Sequence, residues 1–218
     1  MAGYMPRPPR QLLAGAFYHV TIRGNDRQRI FRDSADYRRY LAELKTCCRA
    51  HHCLLIAYAL MPNHVHVVIQ DQTTQLSKCM HALHLGYTRY FNSRHQRIGQ
   101  LYQGRFHSRY IDRDAYLLEV TRYVHLNPLR AGLSDRPIDY AWSSYLAYLD
   151  PEIAMREEVY PQLIWDLMDP RRKQSCVKYQ AFVETLMKEQ LSNWESRLRD
   201  LKLIGSTRFA SEMAIGAS

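Results

Sequence analysis

The stretch Met61-Pro62-Asn63-His64-Val65-His66-Val67-Val68-Ile69 decides how this chain is interpreted, because its polar and apolar side chains alternate as in a half-buried β-strand. Successive side chains of a strand turn to opposite faces, so His64 and His66 share one face and Val65 and Val67 share the other. The apolar face predicts a core. The two imidazoles predict a strand that could close on a single metal ion.

Length and composition indicate a globular protein. The chain has 218 residues, of which 46% are hydrophobic, enough for one domain with an appendage. It has no run of about 20 apolar residues, and its first 15 residues lack the apolar centre of a secretory signal, so we expect no membrane association and a cytoplasmic location. The five cysteines form no CxxC pair and are expected to be buried free thiols.

The positive charge is concentrated in one part of the chain. Residues 1–150 contain 20 Lys and Arg against 11 Asp and Glu, whereas residues 151–218 contain 10 of each kind. Eighteen of the first 20 cations are arginines, which suit forked contacts with phosphates and stacking on bases. This bias favours a nucleic-acid partner over an inert basic surface.

The order of elements predicts an α+β fold. Strands are expected near 17–22, 53–60, 63–70 and 105–110. Helices are expected after an N-cap at Ser34 to about 51, from about 74 to 95, and after an N-cap at Asp112. This order fits a ferredoxin-like antiparallel sheet with helices packed on one side and the first and third strands in the centre. The histidine strand would then lie in the middle of the sheet.

The chain changes character after residue 150. Three prolines mark a linker with one short helix, and an amphipathic pattern then predicts a long helix from about residue 173 to 203. We therefore divide the chain into a domain of residues 1–150 and a helical extension of residues 151–218. The long helix is expected to pack back on the domain, with a dimerising coiled coil as the alternative, so the protein is expected to be a monomer or a homodimer.

The third helix strengthens the case for a metal site. Tyr123 and Asn127 are four residues apart, so their side chains lie on one helical face. If this face covers the histidine strand, it brings a hydroxyl nucleophile and a third neutral ligand to the same ion, although Pro128 predicts that the helix ends near Asn127. Tyr116 lies on the same stripe and is interpreted as core-facing support rather than a second nucleophile.

These residues resemble a known family. His64-Val65-His66 is similar to the HUH motif of single-strand DNA endonucleases and transposases, and Tyr123 with Asn127 resembles the catalytic helix of their single-tyrosine branch. Further short motifs in the same order match the REP-associated tyrosine transposases, over roughly residues 5 to 147. They are Pro8-Pro9-Arg10, Tyr18-His19-Val20-Thr21, Arg23-Gly24-Asn25, Gly104-Arg105-Phe106-His107-Ser108, residues 123–132 and Trp142-Ser143-Ser144.

The resemblance implies a function and roles for individual residues. It implies a metal-dependent DNA strand transferase that cleaves single-stranded DNA near a hairpin, with Tyr123 as the nucleophile that forms a 5′-phosphotyrosine. His64, His66 and Asn127 would hold Mg²⁺ or Mn²⁺. Imidazoles suit Mn²⁺ better, whereas cellular abundance favours Mg²⁺. Eight residues are expected to contact DNA: Arg7, Arg10, Arg23, Arg27, Arg105, His107, Arg109 and Arg130.

Two alternatives stay open. An HUH replication initiator would use the same chemistry, although such proteins usually carry helicase or longer metal-binding regions that 218 residues cannot hold. A non-catalytic protein that binds hairpin DNA would retain the fold without the reaction. Arg7 and Arg10 form either a disordered arm or an arm that reads a DNA groove.

Overall fold

The structure is a computed structural model that describes residues 12–111 and 115–188. Its strands and helices, in chain order, are β1 (Ala16–Arg23), α1 (Ser34–Ala50), β2 (Cys53–Met61), β3 (His64–Asp71), α2 (Leu76–Arg94), β4 (His107–Ile111), α3 (Ala115–Arg130), α4 (Tyr145–Leu149), α5 (Pro151–Arg156), α6 (Gln162–Met168) and α7 (Arg172–Lys188).

The four strands form one antiparallel sheet in the order β2-β3-β1-β4. The first and third strands are therefore central, and the predicted α+β class and ferredoxin-like order are confirmed. In the register of β1 and β3, Thr21 pairs with His66 and Arg23 pairs with His64. The polar residues of the two central strands consequently share one face of the sheet.

The opposite face of the sheet is apolar. Val65, Val67 and Ile69 are fully buried there. Helices α1 and α2 contact each other, and the thiol of Cys79 in α2 interacts with those of Cys48 in α1 and Cys53 in β2, which places both helices against this face. All five cysteines are free, and four of them are buried, as the sequence predicted.

Carboxylates begin the first two helices. The N-cap of α1 is Asp33, whose side chain accepts hydrogen bonds from the backbone N–H groups of Ala35 and Asp36, so the prediction of Ser34 at this position was wrong by one residue. Asp71, the last residue of β3, is fully buried and accepts from the N–H groups of Gln75 and Leu76. It thereby starts α2 directly from the histidine strand.

Helix α3 lies across the histidine-bearing side of the sheet, in contact with β2 and β3. Helices therefore cover both faces, whereas the sequence predicted them on one side, because α3 carries Tyr123 to the histidine face. It does not end at Asn127, as Pro128 had predicted, but continues to Arg130. Gly132 ends it instead, with a positive φ of 65°, while its N–H donates to Leu129 and that of Leu133 donates to Pro128. This is the Schellman arrangement, which satisfies the last carbonyls of a helix.

The described part of the extension packs against α3 and α4. It contains two short helices, α5 and α6, where the sequence predicted one, followed by α7. The buried residues Trp165, Tyr179 and Val183 belong to the same hydrophobic cluster as the sheet residues, so α7 packs back on the domain as expected. The boundary at residue 150 stays a prediction.

No helix within the described residues is both long and apolar enough to cross a bilayer.

Candidate active site

An open cavity of about 360 Å³ lies on the polar face of the sheet. Helix α3 covers only part of this face, because its main contacts with the sheet are to β2 and β3. The residues that line the cavity come mainly from these strands: His19, Thr21, Ile22, Arg23, His64, His66, Gln103, His107, Arg109 and Tyr123. Six of the ten carry an imidazole or a guanidinium group.

The structure brings the predicted nucleophile to the predicted ligands. The ring of Tyr123 meets that of His66 edge-on, with centroids 5.5 Å apart, and the rings of His64 and His66 are 5.0 Å apart. Tyr123 also meets His19 of β1 at 5.9 Å. One helix and two central strands therefore converge on a single group of rings.

Each of the two histidines of β3 has a hydrogen-bond partner at Nδ1. Nδ1 of His66 lies 3.0 Å from Nε2 of His19, and Nδ1 of His64 lies 2.7 Å from Oδ1 of Asn63. Among the described residues, Nε2 of His64 and Nε2 of His66 have no hydrogen-bond partner. These two nitrogens are the ones available to a ligand.

Burial keeps the three imidazoles neutral. It lowers the pKa of His64 to about 4, assisted by the Arg23 guanidinium, and lowers the pKa of His19 to about 4, assisted by Arg109. The pKa of His66 is held well below its usual value by burial first and then by neighbouring His19 and His64. Neutral imidazoles retain a lone pair for a metal ion at neutral pH.

Asn127 lies beside Tyr123 but turns its amide to its own helix. Its Nδ2 donates to the Tyr123 carbonyl at 2.9 Å, and Asn127 is not among the described residues that line the cavity. Its role as a third ligand stays a prediction. Arg130, one turn further along α3, places its guanidinium carbon 5.4 Å from the centre of the Tyr123 ring.

The residues expected to contact DNA fall into separate groups. Arg23, His107 and Arg109 line the cavity. Arg105 is exposed and precedes β4, which begins at His107 and not at 105 as predicted. Arg27 is exposed in a 3₁₀ turn of residues 25–27. Arg7, Arg10 and the Asp112 N-cap lie outside the described residues. Tyr116 packs against the core rather than the cavity, as expected.

Sequence reasoning gave no role to His19 and Gln103, although both line the cavity. His19 alternates with Thr21 and Arg23 along β1, so their shared face could have been predicted. What could not be predicted is the register, which sets Thr21 opposite His66 and makes His19 its diagonal neighbour. Gln103 lies outside any periodic element, and its N–H donates to the Arg23 carbonyl at 3.0 Å.

The donor set suits a divalent ion that takes nitrogen ligands and retains open positions. Within the described ranges, no group of three or more His, Cys, Asp or Glu side chains is arranged to hold a metal. The two free Nε2 atoms would therefore need completion by an amide oxygen, water or a substrate oxygen. The two neutral imidazoles would leave the charge of the ion available to an anion.

The fold resembles that of a solved transposase. The structure matches, with a TM-score of 0.56 and 16% identity, the "Structure of the REP associates tyrosine transposase bound to a REP hairpin", covering 66% of this chain and 86% of the other. A second solved structure, from Deinococcus radiodurans R1, covers 59% of this chain and 92% of its own at 16% identity, but its TM-score of 0.39 is too low to support an inference. No curated protein matches the sequence significantly.

The sequence itself identifies the family. Residues 14–127 match the family model described as "Transposase IS200 like", and this segment contains β1, the histidine pair of β3, and α3 as far as Tyr123 and Asn127. The match spans more than half of the chain. The family resemblance that the motifs predicted is confirmed: the chain belongs to the IS200-like transposases.

Proposed function

We propose that this transposase cleaves and rejoins single-stranded DNA beside a hairpin through a covalent bond to Tyr123. The observation that carries the proposal is the position of the Tyr123 ring, edge-on to His66 at 5.5 Å at a cavity with a cationic rim. A phenol is a weak nucleophile and attacks a phosphate slowly unless that phosphate is polarised. We therefore expect a nucleophilic tyrosine to lie beside a group that activates phosphate.

A divalent ion, Mg²⁺ or Mn²⁺, would be held by His64, His66 and Asn127. The Nε2 atoms of the two histidines, which no described residue bonds, support this assignment, and Oδ1 of Asn127 is not used in the bond that its Nδ2 donates to the Tyr123 carbonyl. When bound, such an ion supplies Lewis-acid polarisation of a phosphate. The other steps belong to side chains of the chain itself.

The reaction forms one bond and breaks one. The phenol oxygen of Tyr123 attacks phosphorus and loses its proton to solvent, while the bond from phosphorus to the 3′ oxygen breaks and that oxygen is protonated. The products are a 5′-phosphotyrosine and a free 3′-hydroxyl. Because the phosphodiester energy is conserved, the reverse attack by a 3′-hydroxyl rejoins a strand without a nucleotide cofactor.

The DNA strand would run along the rim formed by β1 and β4. Arg23, His107 and Arg109 lie on this rim, and Arg130 stands over the nucleophile. Exposed Arg27 and Arg105 extend the positive surface, and Arg7 and Arg10 would add an arm that reads a DNA groove. Guanidinium groups suit such a path because they contact phosphates bidentately and stack on bases. The structural relative is described as bound to a REP hairpin, which supports a hairpin as the recognition element.

The two alternatives make different predictions. A non-catalytic hairpin-binding protein would bind the same DNA and form no covalent product. An HUH replication initiator would form the same phosphotyrosine, so the adduct alone does not distinguish it from a transposase. We place the protein in the bacterial cytoplasm, at the nucleoid when it is bound to DNA, as a monomer or a homodimer.

The test is the search for a covalent adduct. Single-stranded DNA from the flanks of its own gene, labelled at its 3′ end, is incubated with the full chain and Mn²⁺, and denaturing gels reveal protein that carries label. We expect an adduct that requires the ion and disappears in Tyr123→Phe, with a fall of at least about 10³-fold, because the variant removes only the attacking oxygen.

Tyr116→Phe is the matched control, because Tyr116 lies on the same helix and packs against the core. It should form the adduct at the wild-type level. An adduct that persists in Tyr123→Phe, or in excess chelator, would contradict the proposal.

A further inference from the structure

The hydrogen bonds of Asn63 determine which ring nitrogen of His64 carries a proton. Nδ2 of Asn63 donates to the backbone carbonyl of Arg27 at 3.2 Å, and a carbonyl can only accept. The orientation of the amide is thereby fixed, with Oδ1 facing Nδ1 of His64 at 2.7 Å. Since Oδ1 is an acceptor, Nδ1 of His64 must donate, which leaves the lone pair of this neutral imidazole on Nε2.

The loop that supplies the Arg27 carbonyl is itself fixed. Its first residue, Gly24, donates its N–H to the Asn63 carbonyl at 2.8 Å. A Cβ at Gly24 would meet the Gln28 carbonyl oxygen at 2.3 Å, so no larger residue fits this turn. The loop and the residue before the histidine strand are therefore joined through both the backbone and the side chain of Asn63.

His66 has an equivalent partner on the neighbouring strand. Nε2 of His19 lies 3.0 Å from Nδ1 of His66, and the two rings are nearly parallel at an angle of 17°. Because both rings are neutral, one nitrogen of this pair donates and the other accepts. If Nδ1 of His66 donates, its Nε2 has the same free lone pair as that of His64.

We propose that Asn63 and His19 are positioning residues that hold the Nδ1 protons of His64 and His66, so that both histidines present Nε2 to the divalent ion. This inference rests on the metal site of the proposed function. It assigns His19 a role as acceptor, with its own proton on Nδ1. In known sites, partners of this kind fix the tautomer and the orientation of a ligating ring, and their loss costs about 10- to 100-fold in metal affinity.

Direct coordination by His19 is the competing arrangement. Nε2 of His19 already lies in hydrogen-bond contact with His66. Within the described part of the chain, no three His, Cys, Asp or Glu side chains are arranged to share an ion. His19 therefore acts through His66 and not as a third ligand.

The tautomers can be read in the metal-free full chain. Long-range ¹H–¹⁵N NMR of the imidazole side chains at neutral pH distinguishes a proton on Nδ1 from one on Nε2. We expect His64 and His66 each to carry the proton on Nδ1. A proton on Nε2 of either ring would overturn the inference, and this readout requires no variant and no bound metal.

Mn²⁺ affinity, measured from the electron paramagnetic resonance of free Mn²⁺, gives the second readout. His19→Leu removes the acceptor and should weaken binding 10- to 100-fold, whereas His19→Gln places a carbonyl oxygen near the former Nε2 and should restore it. Asn63→Ala and Asn63→Asp form the equivalent pair. Adduct formation by His19→Leu should recover at saturating Mn²⁺, while that of Tyr123→Phe should not.

The two proposals fail in different ways. Equal Mn²⁺ affinity in wild type and His19→Leu would overturn the positioning role and leave the proposed metal site intact. A wild-type chain that binds no Mn²⁺ would overturn both the metal site and the positioning role, whatever its tautomers.

Discussion

The sheet histidines, which are His19, His64 and His66, lie on the opposite side of helix α3 from His125, and they differ from it in which ring nitrogens are already bonded. Tyr123 faces the sheet histidines, whereas His125, two residues further along α3, faces α4 and α7. Nδ1 of His125 is 2.7 Å from the Tyr179 hydroxyl, and its Nε2 is 2.8 Å from the Ser144 hydroxyl. Both nitrogens are satisfied by the protein, so this ring joins α3 to the extension.

Among the described residues, each sheet histidine has a hydrogen-bond partner at one ring nitrogen. His125 is more deeply buried than His64, and burial lowers the pKa of both, to about 3 for His125 and about 4 for His64. Burial and a lowered pKa therefore do not separate a ligand from a structural histidine. The distinction is Nε2 of His64 and His66 at the cavity, which no residue in the described part of the chain bonds.

The largest expected effect on stability is that of His125→Phe. The substitution removes one buried hydrogen bond from each of the Tyr179 and Ser144 hydroxyls, so we expect a loss of about 3 kcal/mol in the free energy of unfolding, measured by urea denaturation. His81→Ala, at an exposed position of α2, is the control and should change stability by less than about 0.5 kcal/mol. A wild-type stability for His125→Phe would show that the hydrogen bonds of His125 do not stabilise the fold.

Acid should destabilise the protein through His125 and through the sheet histidines, because burial lowers the pKa of each. The folded-state pKa of His125 is lowered from 6.5 to about 3, so its contribution to stability is fully present above pH 6.5 and is lost as pH falls towards 3. Between pH 6.5 and 4.5 this one residue should cost about 2 kcal/mol. In His125→Phe, urea denaturation across this range should give a free energy of unfolding that depends less steeply on pH, because about one proton fewer is taken up on unfolding. An unchanged slope would contradict the assignment.

The smallest predicted effect concerns the cationic rim of the cavity. Arg109→Ala removes one cationic contact at the cavity and should weaken the binding of single-stranded DNA by about 1 kcal/mol, with the slope of log affinity against log salt reduced by about 1. Arg38→Ala is the control, because this exposed arginine lies on α1, across the sheet from the cavity. Equal losses in the two variants would indicate general charge attraction rather than a defined path.

The sequence predicted the parts that depend on local periodicity. The two-residue period placed His64 and His66 on one face, and the helical period placed Tyr123 and Asn127 together. The strand order also followed from the order of elements. These predictions succeeded because each uses only the geometry of a single element or of a common topology.

Features that depend on packing between elements were missed or wrong. His19 meets His66 only through the register of β1 and β3. Ser144 meets His125 only because the loop after α3 returns to β2, where the N–H of Tyr58 donates to the Ser144 hydroxyl at 2.8 Å. Pro128 gave a wrong end for α3, because Gly132 and its two capping bonds determine where the chain leaves the helix.

The most direct test of the contrast between the sheet histidines and His125 is Mn²⁺ binding by three forms of the full chain. We predict that wild type binds one Mn²⁺, that the double variant His64→Ala with His66→Ala binds none, and that His125→Phe, measured where it is folded, retains the wild-type affinity. Retained binding in the double variant, or its loss in folded His125→Phe, would contradict the account.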